Sequence, residues 1–458
     1  MFVSVKARVY TDHTGAYSEL PVLLTPLGVL EPLLDYCLSR SHDRSLSWMN
    51  QVVRSVRMFL EYLQVNPGER DTYRLFRNFA QRLYTGTFER ATGLDPSGLC
   101  WPVRSPHDAE KIVANLTDFF DWLGALRPEA AKVNPHYAGS AYDRQTDEAA
   151  YQYRRNRAFL GHTWAANAPA DSGHRVRPRR LPKAERREPP AFPEERFVDL
   201  LKKGFRVGGR PDYRGMLVTL LLHGAGFRES EPFHLYIGDV FPDPLDPKQA
   251  KVLIHHPSQG AAPGGWKRPD GKAGNRADYL AHEFALAPRD VLMDRRHAGW
   301  KGGTHDGQWY KQAYWFLPEY GEWFLTLWYR YLEQVARIER PHPFAFVNLA
   351  REPKGAMYTL AQYNKAHAAA CKRIGLTVGK DLGTTPHGHR HAYGRRLNRA
   401  GVDRALIRRF LHHAALESQE VYTQPNLGEV MAALQAAAGR LHVGQRGLAS
   451  SAMPFGID

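Results

Sequence analysis

The first ten residues, MFVSVKARVY, alternate apolar and polar positions, the period of a half-buried strand. Prolines 21, 26 and 32 punctuate the next stretch, and then the period changes. Trp48, Val52, Val56, Phe59, Leu60 and Leu63 recur at three- and four-residue steps and form one apolar helical stripe. Ser45 or Ser47 is placed to cap that helix, and Asn66-Pro67-Gly68 ends it. A second stripe joins Ile112, Val113, Leu116, Phe119, Phe120 and Leu123 behind the start signal Ser105-Pro106-His107-Asp108. Residues 1–140 therefore read as a small, mostly helical domain.

The pattern fails over residues 141–190, which are polar, rich in Arg and Pro and poor in apolar periodicity. Prolines 178, 182, 189 and 190 interrupt any helix there. This stretch reads as an extended basic linker. It is either a solvated tether or a strap along a phosphate backbone, with Arg175, Arg177, Arg179, Arg180 and Lys183 as its contacts. Helical periodicity returns near Phe192 and continues through Leu217–Leu222. Strand-like pieces come next at 250–256 and 314–317, separated by a polar excursion over 257–310. Helices are expected again at 321–332, 360–374, 391–400, 404–411 and 427–441. A second domain thus spans 191–445 with 257–310 as an insertion, and 446–458 reads as a flexible tail.

Composition narrows the class. The chain has 458 residues, 43% of them hydrophobic, which is ample for two cores and excludes global disorder. The apolar stretch Met216–Leu222 is too short to span a bilayer. Three scattered cysteines exclude a disulfide scaffold or a CxxC metal cage. The net charge of +15 favours a polyanionic partner. These features suit a soluble cytoplasmic, nucleoid-associated protein.

Three local signals carry chemistry. GAGFRESEPFHLYIGDV sets Arg228 three residues before Glu231, TTPHGHRHAYGRRL holds His387 and Arg390 in HxxR spacing, and FLHHAALESQEVYTQP puts Tyr422 nine residues after His413. In this order and near the C-terminus, they resemble the tyrosine recombinase (phage integrase) family. That family's pattern is G-x-R-x-x-E, a β-hairpin Lys, HxxR, LGH, and Tyr nine residues on. The resemblance covers roughly 192–442, with a less specific likeness of 1–140 to the family's core-binding domain.

The resemblance implies a mainly α fold with a small antiparallel β-sheet (α+β). A helical core-binding domain and a catalytic domain form a C-shaped DNA clamp. It implies a site-specific recombinase or integrase of a mobile element that cuts and rejoins double-stranded DNA through a 3′-phosphotyrosyl link at Tyr422, without metal or cofactor. A homotetramer on synapsed DNA is implied, and accessory recombination proteins are compatible with it. Two guanidiniums, Arg228 and Arg390, suit a phosphodiester because they stay charged and grip non-bridging oxygens with fixed geometry. His387 is assigned proton transfer at the nucleophile, and His413 a hydrogen bond to a phosphate oxygen. For the lysine that protonates the leaving oxygen, the order is Lys301, Lys311, Lys267, with Lys267 and Lys311 otherwise phosphate contacts.

Two positions depart from the family. His412 replaces the LGH glycine, at a place suited to positive φ, and His389 stands where an apolar residue is usual. The His387/His391 pair has the i, i+4 spacing of a helical zinc pair, but no HExxH, nearby Cys or spaced carboxylate completes a site. Two rival functions remain: a type IB topoisomerase, and a non-catalytic DNA-binding protein of the same fold.

Overall fold

The computed structural model describes residues 1–10, 13, 17–89, 91–136, 140–158, 161–167, 174–177, 189–292, 294–349 and 352–413. Tyr422, Arg179, Arg180, Lys183, the 427–441 helix and the 446–458 tail lie outside the described residues. The chain divides into two compact units, Met1–Ala184 and Glu185–Asp458.

In the first unit the alternating N-terminal segment becomes β1 (Val3–Tyr10), paired antiparallel along its length with β2 (Tyr17–Thr25); the short β3 (Gly28–Val29) comes after it. Leu20, Val22 and Leu23 of β2 are buried. Helices α1 (Glu31–Ser39), α2 (Leu46–Gln64), α3 (Thr72–Thr85) and α4 (Pro106–Leu126) complete the core. Ser45 accepts the Trp48 amide at 3.3 Å and Ser105 the Asp108 amide at 3.1 Å, so both helices start at capped positions. The apolar stripes meet in a cluster of edge-to-face rings, Phe59 on Phe76, Phe79 and Phe120. The reading of 141–190 as extended throughout needs correction, because α5 (Ala141–Arg157) occupies its first part. The sequence there lacks apolar periodicity but has no proline, so nothing local forbids a helix.

The second unit opens with α6 (Phe197–Asp199), which runs into a π-helical turn at Leu200–Gly204, and the two-residue strands β4 (Arg206–Val207) and β5 (Arg210–Pro211). Its centre is α7 (Tyr213–Gly224), buried from Arg214 to Gly224. An antiparallel sheet of order β6-β7-β8 (Val240–Pro242, Ala250–His255, Tyr310–Gln312) flanks it. Helices α8 (Arg276–Phe284), α9 (Pro318–Val335), α10 (Leu360–Arg373), α11 (Pro386–Arg399) and α12 (Arg404–Phe410) make up the rest. The architecture is mainly α with small antiparallel sheets. Among the described residues, no helix is long and apolar enough to cross a membrane.

The returning strand is displaced from the expected 314–317 to Tyr310–Gln312. The cause is hydrogen bonding. Ala313 still donates to Val252 O at 3.0 Å, but the Phe316 amide turns to Gly224 O at 2.9 Å and the Trp315 indole to Ala250 O at 2.7 Å. The expected strand residues therefore fasten the sheet to the end of α7 instead of extending the ladder. The 257–310 excursion is not simply polar loop either: it holds α8 and delivers Tyr310 to the sheet.

Candidate active site

Arg228 stands four residues beyond the end of α7. Its amide donates to Glu231 Oε2 at 2.7 Å and its guanidinium to Glu231 Oε1 at 3.1 Å, so the three-residue spacing closes a local clasp. Gly226, in the same turn, has φ +70°, and a Cβ there would stand 2.3 Å from the Tyr393 ring of α11. The glycine thus lets α11 approach, and Arg390 donates from one guanidinium nitrogen to Gly226 O and from the other to Leu411 O at 2.6 Å. One arginine ties together the turn bearing Arg228 and the end of α12.

Lys311 on β8 completes the cluster. Its ammonium lies 2.7 Å from Glu231 Oε1, with both side chains fully enclosed, and 4.2 Å from the Trp300 ring centroid. Burial alone would push the Glu231 carboxyl up, but Lys311, Arg228 and Arg390 together hold it at about 2. Burial, and the charges of Arg228 and Arg390, push Lys311 below the ordinary lysine range despite Glu231.

The three candidate lysines differ in their surroundings. Lys301 is exposed in the loop before β8, and its charge acts on His387. Lys311, ranked second, is the one packed among the guanidiniums, and its enclosure removes it from the surface phosphate contacts. Lys267 is exposed, on an isolated antiparallel bridge to Ala273, and Arg175 and Arg177 are exposed in the first unit.

His387 sits at the start of α11 with its ring 4.4 Å from that of His391. The protein packed around it, then Arg390, Lys301, Lys380 and Arg228, push it down to about 4. His413 is 5% exposed, and burial, then Arg390 and Arg228, push it down to about 3. Both imidazoles are neutral at pH 7. The site is a concentration of fixed positive charge with neutral imidazoles beside it, an arrangement suited to a phosphodiester.

The sequence missed the lid of this site. The loop 298–306 belongs to the insertion, yet it lies against the cluster. Ser230 donates to Gly299 O at 2.5 Å, and a Cβ on Gly303 would stand 2.2 Å from His412 O. Asp306, 5% exposed at its side chain, receives the Gln312 amide at 2.8 Å and the Tyr314 hydroxyl at 2.6 Å, and lies 2.8 Å from His412 Nε2.

The two departures from the family pattern acquire physical accounts. His412 has φ 51°, the left-handed conformation the glycine position calls for, and is held between the Phe227 and Tyr314 rings. His389 is fully buried, stacked 4.1 Å from Phe192. Its Nδ1 is 3.1 Å from His223 and its Nε2 2.8 Å from His367. Opposite ring nitrogens face different partners, so this is a hydrogen-bonded row behind α11 and not a convergent metal cage.

Residues 324–429 match the Phage integrase family. That segment is a Phage integrase family domain. No curated protein matches the chain by sequence. Among solved structures it is similar to XerH site-specific recombinase bound to difH substrate in a pre-cleavage complex. That likeness has 15% identity and a TM-score of 0.47 over 88% of this chain and 83% of that one. It is also similar to the Tn1549 transposon integrase with circular intermediate DNA (14%, TM-score 0.32, 84% and 99% covered). A third similarity is to a lambda integrase dimer bound to a COC′ core site (11%, TM-score 0.40, 93% and 80%).

Proposed function

We propose that this protein is a tyrosine-type site-specific recombinase that cuts and rejoins double-stranded DNA with Tyr422 as nucleophile and Arg228, Arg390, His387, His413 and Lys311 around the phosphate. The observation that carries the reading is the convergence of Arg228, Arg390 and Lys311 on one buried carboxylate, Glu231. Three cations held in place before substrate arrives need little reorganisation when charge develops on a phosphorane.

The Tyr422 phenol attacks phosphorus and forms the O–P bond while the bond to the 5′-oxygen breaks. Neutral His387 takes the phenolic proton, and Lys311, whose lowered pKa suits an acid, gives one to the leaving oxygen. His413 donates a hydrogen bond to a non-bridging oxygen. Rejoining is the reverse with a new 5′-hydroxyl. In this reading four copies act on synapsed DNA, as exchange between two duplexes needs four cuts. The exposed Arg175, Arg177 and Lys267 contact backbone phosphates.

The test uses nicked duplexes tiled across the DNA flanking the chain's own gene, with SDS-resistant adducts as readout. An adduct that disappears in Tyr422→Phe supports the reading. Tight binding with no adduct, or an adduct that persists in Tyr422→Phe, overturns it.

A further inference from the structure

Among the described residues, one group of three metal-ligating side chains has its donor atoms mutually within 4.8 Å, and it lies in the first unit: Asp121, His136 and His174. We infer that Asp121, His136 and His174 bind a divalent transition ion of the zinc class, which clips the basic segment 174–177 onto α4.

His174 Nε2 is 3.0 Å from Asp121 Oδ2, His136 Nε2 is 3.9 Å from Asp121 Oδ1, and the two rings lie 4.2 Å apart. The other side of the His174 ring decides the chemistry. Its Nδ1 is 2.7 Å from Asn134 O, and a carbonyl only accepts, so Nδ1 carries the hydrogen. A neutral His174 therefore aims its Nε2 lone pair at a carboxylate oxygen, acceptor against acceptor. Something positive has to lie between them. A proton on His174 Nε2 would satisfy that one contact but would not draw in His136, whose Nε2 stays 3.9 Å from Asp121 Oδ1. One divalent ion satisfies both imidazoles and the carboxylate together.

The outer shell has the form such an ion needs. A backbone carbonyl orients the ligating His174, the usual second partner of a metal-bound histidine. Asn134, 3% exposed, is fixed in turn: its side chain bonds Thr117 Oγ1 at 3.0 Å, Val176 O at 3.2 Å and the Val176 amide at 2.9 Å. His136 and His174 face each other across an antiparallel bridge, so the backbone sets their spacing. Asp118, one turn before Asp121, adds negative charge; burial and then Asp121 hold its carboxyl above the usual range. Bonds of about 2.0–2.1 Å to a tetrahedral ion put donors about 3.3 Å apart, which small side-chain rotations achieve here. Asp121 and His136 are roughly half exposed, which leaves the fourth position to water. Two imidazoles and one carboxylate suit zinc better than calcium or magnesium.

The inference does not rest on the recombination reading. Its test titrates the metal-stripped full chain with Co2+, followed by its visible d–d absorption, and with Zn2+ in competition. One equivalent is expected, with affinity falling by more than about tenfold in His136→Ala and in His174→Ala. It should be unchanged in His391→Ala, which belongs to another close imidazole pair, with His387. Zn2+ should raise the Tm of the parent chain but not of Asp121→Asn. His136 is exposed enough that its removal leaves the fold intact. Absence of the cobalt band, or a band that survives both His136→Ala and His174→Ala, overturns the assignment.

Discussion

Asp306 and His412 are 106 residues apart in the chain and 2.8 Å apart in space, both nearly or fully buried. This contact fastens the insertion loop to the turn that carries His413. It also explains how a side chain persists at φ 51°: the carboxylate and two rings hold it there. Removing the acceptor leaves buried donors without a partner, at a cost of about 1–3 kcal/mol. Asp306→Ala should therefore destabilise the chain by about that amount and slow adduct formation while DNA affinity stays within about twofold. His412→Gly restores the residue that φ prefers. In a double-mutant cycle, the pair should be no worse than Asp306→Ala alone. Strict additivity in urea unfolding would remove this account.

The two lysines separate by chemistry. Lys301 is exposed, so Lys301→Ala should change stability by no more than about 0.5 kcal/mol. Lys311→Met breaks a fully enclosed ion pair, expected to cost about 3–5 kcal/mol, though Arg228 still faces Glu231. Stability alone would confound the rate, so the substrate should be varied. A bridging 5′-phosphorothiolate has a leaving group that needs no proton. It should restore cleavage to Lys311→Met by about 100-fold or more, the size of a general-acid contribution. Rescue of Lys301→Ala in its place would return the acid role to Lys301.

Legibility in the sequence depended on distance along the chain. Arg228 with Glu231, and His387 with Arg390, are neighbours within one turn or one helix, so spacing alone announces them. The caps at Ser45 and Ser105 and the apolar stripes of α2 and α4 are equally local. The enclosure of Lys311 beside Glu231 was not legible, because its place depends on the register that sets Lys311 opposite Ile254. The strand was expected at 314–317, where aromatic residues suggest one. Those residues commit their backbone and indole donors to Gly224 and Ala250, partners far away in sequence. The loop over the site and the histidine row behind α11 rest on contacts spanning tens to more than a hundred residues, which periodicity does not report.

Gly226 is a point of close approach in the site. A methyl group there meets the Tyr393 ring at 2.3 Å and is strained at φ +70°. The same residue's carbonyl accepts from Arg390. Gly226→Ala should therefore displace α11 from the Arg228 turn, lower stability by about 1–3 kcal/mol and reduce adduct formation far more than duplex binding. Gly238→Ala is the control, since a Cβ there meets nothing within 4 Å. Equal behaviour of the two variants, by Tm and by adduct yield, would show that the close approach is immaterial.

Acid should act on this protein in two stages, and the sign is set by which state binds more protons. His391, His413 and His367 are held at about 3 and His387 at about 4, chiefly by burial, whereas an unfolded histidine titrates near 6.5. Between those values the unfolded chain carries protons the folded chain refuses, so stability is full above pH 6.5 and declines as pH falls toward 4. Glu231 and Asp306, both held at about 2 against ordinary values of 4.5 and 3.8, add a second loss below pH 4.5. Each refused proton contributes a slope of about 1.4 kcal/mol per pH unit. Urea unfolding at pH 7, 6 and 5 should show the first stage, and His391→Gln should reduce its slope by about one proton. Initial rates of adduct formation, measured on protein still folded, should persist to pH 5 because His387 remains neutral there. An acid limb centred near 6.5 would instead mean that a histidine of ordinary pKa takes the phenolic proton, and His387 would lose that role.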